Sequence, residues 1–111
     1  FHYKYTDSFG EDGDFEGKVR ALEEIDAAIP AILDLGPDAL VVTGDHSTPA
    51  TLAGHSWHPV PFALLANSMF PDDVTEFTER ACARGTLGSF AAQQTLSLML
   101  GYAGRLAKFG A

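Results

Sequence analysis

The strongest constraint on how this chain folds is the passage from Ala39-Leu40-Val41-Val42 into Thr43-Gly44-Asp45-His46-Ser47-Thr48-Pro49-Ala50-Thr51-Leu52-Ala53-Gly54-His55. An unbroken apolar run of this length is the pattern of a strand covered on both faces. Asp45 and His46 are therefore expected to emerge at the end of a buried strand, where ligands of α/β sheets usually bind. His55 follows after a short Gly/Pro/Ser/Thr loop and is expected to fold back toward them. Carboxylate and imidazole donors held at a strand end suit a divalent metal such as Zn or Mn.

With 111 residues and 46% hydrophobic content, the chain is one domain's worth of folded polypeptide. No apolar run reaches the length of a membrane span, and no basic segment precedes an apolar one in the manner of a signal peptide. The lone cysteine, Cys82, excludes an internal disulfide framework and fits a reducing cytoplasm, as a small core residue on a helix. The net charge of −8 leaves no basic face for nucleic acid. Much of the acidity is local: Asp7, Glu11, Asp12, Asp14 and Glu16 follow one another with no Lys or Arg between them. They read either as a solvated loop or as carboxylates sharing a cation, which would relieve their repulsion. The opening Phe1-His2-Tyr3-Lys4-Tyr5-Thr6 is alternating, aromatic and without an initiator Met, which suggests a fragment lacking its N-terminal part.

Residues 1–6 are expected to form a strand and residues 8–17 a loop. A helix from about Glu16 is marked by Val19, Leu22, Ile25 and Ala28-Ile29 at helical spacing. Pro30 is expected to kink or restart it, leaving a short segment to Leu35 stopped by Gly36-Pro37. After the strand at 39–42 comes a long polar loop to Pro61, then a second buried strand, Phe62-Ala63-Leu64-Leu65-Ala66. Asp73-Val74-Thr75-Glu76 has the pattern of a capping box, predicting a helix to Arg84. The last helix is expected from about Ala91 to Lys108, with Leu96, Met99, Leu100, Ala103 and Leu106 on one face. The order of elements reads as α/β, with helices covering a sheet; the ends of the strands expected before Asp7 and before Asp45 should lie side by side in a parallel sheet, so that Asp7, Asp45, His46 and His55 converge on one cleft.

Lys4-Tyr5-Thr6-Asp7-Ser8-Phe9-Gly10-Glu11-Asp12-Gly13-Asp14 and Thr43-Gly44-Asp45-His46-Ser47-Thr48-Pro49 resemble the C-terminal part of the archaeal-type, cofactor-independent phosphoglycerate mutases. That family belongs to the alkaline phosphatase superfamily. The ending Lys108-Phe109-Gly110-Ala111 is also similar, so that the resemblance covers residues 1–111. It implies the C-terminal part of an alkaline-phosphatase-like sheet flanked by helices. It also implies two divalent metal ions, Mn foremost, with Mg, Co or Zn as alternatives. In the family's pattern Asp7 and His55 would bind one ion, and Asp45 and His46 the other. The nucleophilic serine and a further ligand would lie in the missing N-terminal segment. Where the family usually has Gly-His-Asp-Gly, this chain has Gly10-Glu11-Asp12-Gly13. Glu11 in the place of that histidine is a harder donor, favouring Mg or Mn over Zn. The implied reaction interconverts 3- and 2-phosphoglycerate, in glycolysis or gluconeogenesis, through a phosphoserine.

Other assignments compete. His58 is second choice to His55, and His2 reads as structural. Ser47 and Thr48 sit beside a histidine as nucleophiles would, but Ser and Thr next to Pro and Asp more commonly hydrogen-bond the loop backbone. Lys4 and Arg84 are either phosphate contacts or solvated charges. A related phosphotransferase, such as the relatives proposed as homoserine kinases, would share the metal centre with another substrate. A non-catalytic fragment, inactive without its N-terminal part, is the reading from a different class.

Overall fold

The computed structural model describes residues 1–107, so the ending Lys108-Phe109-Gly110-Ala111 lies outside the described residues. The described residues separate into two compact units, one of residues Phe1–Gly36 and Asp45–Val60, the other of Pro37–Gly44 and residues 61–107. The fold is mixed α/β, with a small antiparallel sheet and helices.

In the first unit, helix α1 (Tyr5–Glu11) is followed by helix α2 (Phe15–Leu33). Residues 1–6 do not form the expected strand: helix begins at Tyr5. The alternating aromatics are used differently, Tyr3 and Tyr5 meeting edge-on at 5.4 Å while the Tyr3 hydroxyl donates to Glu24 of α2. Asp7 lies in the first turn of α1, where a carboxylate complements the helix dipole. The expected loop at 8–17 shrinks to the link around Gly13, whose φ of +70° ends α1. Asp14 then caps α2, its side chain accepting from the Gly17 N–H at 2.8 Å.

Pro30 does not interrupt α2, which runs on to Leu33. Proline removes one donor and costs roughly 3 kcal/mol within a helix, but it sits in the final turns, after the helix formers Ala21-Leu22-Glu23-Glu24 and Ala27-Ala28. The two helices pack closely because Gly10, Gly17 and Ala21 are buried there. Of the predicted face, Val19, Ile25 and Ile29 are half-buried, whereas Leu22 and Ala28 are exposed.

In the second unit, β1 (Ala39–Thr43) pairs with β2 (Phe62–Ala66). The pairing is antiparallel, with Ala39 opposite Ala66 and Thr43 opposite Phe62, and residues 1–6, expected to run parallel to 39–42, form no strand. The intervening segment folds back on itself instead of crossing over, as an antiparallel pair permits. Residues 39–42 are half-buried throughout, whereas β2 alternates, Phe62 and Leu64 half-buried and Ala66 buried.

The helix expected from Asp73 is confined to α3 (Glu79–Cys82). Asp72 explains the loss, since its carboxylate accepts from the N–H groups of Val74 at 3.1 Å and Thr86 at 2.9 Å. That local turn takes a donor and fixes the backbone before a helix can form, and Thr78 caps α3 instead. The expected helix 91–108 is likewise shorter: a 3-10 turn at Ala92–Gln94 leads into α4 (Thr95–Tyr102). Beyond its cap at Ala103 the chain turns away at Gly104, where φ is +69°. Leu96, Leu100 and Leu106 are exposed, while Met99 and Ala103 are half-buried. Cys82, at the end of α3, is half-buried. Among the described residues the buried apolar side chains are Ala21, Ala66 and Ala81, and no helix is long and apolar enough to cross a membrane.

Candidate metal centre

Helix α1 presents Asp7 and, one turn later, Glu11 on the same face. The facing side chains come from the segment that follows β1. That segment is folded into a loop whose ends are tied by an isolated bridge between Ser47 and Ser56, the Ser56 N–H donating to the Ser47 carbonyl at 2.8 Å. The bridge sets the preceding residues, His46 and His55, beside each other, their rings 4.0 Å apart between centroids. The turn between them closes through Leu52 N–H to Pro49 O at 2.9 Å. His55 thus folds back toward His46.

Asp7, His46 and His55 each offer one donor atom, and these atoms lie within 4.8 Å of one another. The Asp7 Oδ1 is 3.4 Å from His55 Nε2 and 3.8 Å from His46 Nδ1. Glu11 joins through its Oε1, 3.3 Å from His55 Nε2, and Asp45 through its Oδ2, 3.6 Å from His46 Nε2. The five residues expected as metal ligands therefore lie along one line of contacts, Glu11–His55–Asp7–His46–Asp45. Carboxylate and imidazole donors brought this close together suit divalent ions.

The electrostatics keep the carboxylates ionised. The Lys4 ammonium against Asp7, with the Thr48 hydroxyl donating to it, holds the Asp7 carboxyl down at about 2 despite partial desolvation. Lys4 in turn is pushed up by Asp7. Partial desolvation opposes ionisation of Asp45, but its own N–H and that of His46, with the nearby imidazole, outweigh it and lower its pKa.

Lys4 contacts Asp7. Arg84, in the second unit, donates to the Arg80 carbonyl at 3.1 Å. His58 bonds the Ser56 hydroxyl at 2.8 Å and stacks on Trp57, apart from the cluster. His2 precedes α1 in an exposed stretch, not on a strand.

The sequence reading missed the importance of Thr48 and Lys18. Thr48 is 4% exposed. Its hydroxyl donates to Asp7 Oδ1 at 2.6 Å and lies 3.1 Å from His46 Nδ1, so its partners are side chains of the site and not the loop backbone. Its carbonyl accepts from Lys18 Nζ at 2.6 Å. The available signals were the position of Thr48 two residues after His46 and of Lys18 as the first base after the acid run.

Residues 1–102 match the metalloenzyme superfamily, and the chain belongs to that family. It is 56% identical over 110 residues to a protein of a Thermotoga species described as "Probable 2,3-bisphosphoglycerate-independent phosphoglycerate mutase", covering 99% of this chain and 27% of that protein. A protein of Thermus thermophilus with the same description is 53% identical over 111 residues, again with 27% of its length covered. A solved protein from Pyrococcus horikoshii superposes with a TM-score of 0.88 at 35% identity, covering 96% of this chain and 33% of that one. The chain thus spans about a quarter of the length of these curated relatives.

Proposed function

We propose that residues 1–111 are the C-terminal, metal-holding part of a cofactor-independent phosphoglycerate mutase that interconverts 3- and 2-phosphoglycerate. The observation that carries this reading is the convergence of Asp7, His46 and His55 in a chain more than half identical to relatives so described. In this reading Asp7, Glu11 and His55 hold one divalent ion, and Asp45 and His46 hold a second. Bound divalent ions supply neutralisation of phosphoryl oxygens and a lowered pKa for an attacking hydroxyl. The carboxylate at Glu11 makes Mn or Mg the preferred occupant. The chain's own residues keep anionic and neutral donors together while Lys4 offsets part of the negative charge on Asp7. The serine that carries the phosphoryl group, and the residues selecting glycerate, belong to the rest of the protein.

The test is conversion of 3-phosphoglycerate by the intact protein, stripped of metal and resupplied with Mn, followed by phosphorus NMR without added 2,3-bisphosphoglycerate. Formation of 2-phosphoglycerate only with metal is the expected result. Phosphorylation of homoserine by a nucleoside triphosphate in a parallel assay without mutase turnover, or no turnover with any of Mg, Mn, Co and Zn, would overturn the reading. The 111-residue chain by itself is expected to be inactive, because loss of the nucleophile in a covalent mechanism removes several orders of magnitude in rate.

A further inference from the structure

Thr48 occupies an unusual place for a loop threonine. It is almost fully buried, and it touches three segments at once. Its hydroxyl lies between Asp7 of α1 and His46 of the loop, and its carbonyl takes the Lys18 ammonium of α2. Gly10 of α1 packs so closely on the Thr48 carbonyl that a Cβ there would collide with it.

The hydroxyl has one hydrogen to give. Asp7 Oδ1, at 2.6 Å, is the nearer partner and as a carboxylate only accepts. Toward His46 Nδ1, at 3.1 Å, the same oxygen is therefore the acceptor, and Nδ1 carries the hydrogen. In a neutral imidazole this leaves the lone pair on Nε2. That nitrogen lies 3.6 Å from Asp45 Oδ2, so two acceptors face each other, an arrangement that calls for a cation between them.

We propose that Thr48 is a positioning residue that fixes the His46 tautomer through Asp7, presenting Nε2 together with the Asp45 carboxylate to a divalent cation. The proposal rests on reading the cluster as a metal centre. It adds that the Asp7 end and the Asp45 end are coupled by a hydrogen-bond relay, Asp7 accepting from Thr48 and Thr48 from His46. Partners of this kind orient metal-binding histidines and typically govern about 10–100-fold in affinity.

The experiment has two readouts on the intact protein. Long-range proton–nitrogen NMR on metal-free protein carrying labelled histidine, with His46→Gln for assignment, reads the tautomer at neutral pH. The expected result is a protonated Nδ1 and a bare Nε2 for His46, retained in Thr48→Ser and lost in Thr48→Val. Mn titration is expected to show Thr48→Val weakened by about 10–100-fold and Thr48→Ser close to wild type. An Nε2-protonated or doubly protonated His46 in the wild type would overturn the proposal, as would unchanged tautomer and affinity in Thr48→Val. Should Thr48→Val fail to fold, the wild-type spectrum decides alone. A wild-type protein with the expected tautomer but no mutase activity would overturn the proposed function and leave the relay standing.

Discussion

The two units satisfy their polar groups in different ways. In the second, the ladder between β1 and β2 pairs the strand backbones, Asp72 and Thr78 accept from backbone N–H groups, and an exposed Asp38–Arg105 ion pair of 2.6 Å joins distant parts of the chain. In the first, a loop lies against two helices and has no ladder beyond the single Ser47–Ser56 bridge. Its buried groups are satisfied by side chains, namely Thr48, Lys18, Asp7 and His46. Among the described residues, the group of side chains able to hold a metal falls in the first unit. The comparison teaches that backbone pairing can build a scaffold with few side-chain requirements. A site made from a loop needs specific side chains at nearly every position.

The largest expected effect follows from removing the group that the loop and α1 share. Asp7→Asn takes away the charge that faces His55, His46, Thr48 and Lys4, and should weaken Mn binding by the intact protein by more than about 100-fold. Calorimetric titration checks it. A comparable loss from Asp72→Asn in the second unit would break the contrast between the units.

Next comes Gly10→Ala, which forces a Cβ onto the Thr48 carbonyl. Overpacking of this kind costs about 1–3 kcal/mol, visible as a lowered midpoint in urea unfolding. The same substitution at Gly36 meets no atom within 4 Å, but φ there is +63°. Gly36→Ala thus separates backbone strain from collision.

A smaller, more selective effect is expected at Glu11. Glu11→Ala should weaken one metal more than the other, because Asp45 and His46 are untouched, and Glu11→His should shift preference toward Zn or Co. Metal stoichiometry with activity across Mg, Mn, Co and Zn reads both. Unchanged stoichiometry and preference in Glu11→Ala would make Glu11 a solvated acid only.

The smallest effect is on the pH dependence of stability. The Asp7 carboxyl is lowered from the usual 3.8 to about 2 in the folded chain. Between these values the unfolded chain binds the extra proton, so stability falls as pH falls. The contribution is fully present above about 3.8 and lost as pH passes through about 2. The Tm difference between wild type and Asp7→Asn should therefore narrow across that interval, and a constant difference would count against the Lys4 and Thr48 contacts.

The site was more legible in the sequence than the scaffold. Asp45-His46 after an apolar run and His55 after a Gly-containing turn are local signals, and the structure brings them to Asp7 and Glu11. The α/β class was also legible, since continuous apolar runs at 39–42 and 62–66 are hard to read otherwise. The direction of pairing was not, because apolar pattern is blind to whether the next strand returns or crosses over. Tyr5–Glu11 reads as strand and loop because its aromatic alternation outweighs, in the sequence, a helix that is stabilised by packing on α2. The Asp73 capping pattern failed because Asp72 turned the chain first, and Thr48 was assigned to the loop backbone because its partner Asp7 is distant in sequence.

The most direct test of the central claim is a titration of the metal-stripped intact protein with Mn, followed by electron paramagnetic resonance, for wild type and for His46→Ala with His55→Ala. The account predicts that wild type takes up the ion tightly and that the double variant, still folded by circular dichroism, loses that uptake. Equal Mn binding by the two folded proteins would contradict it.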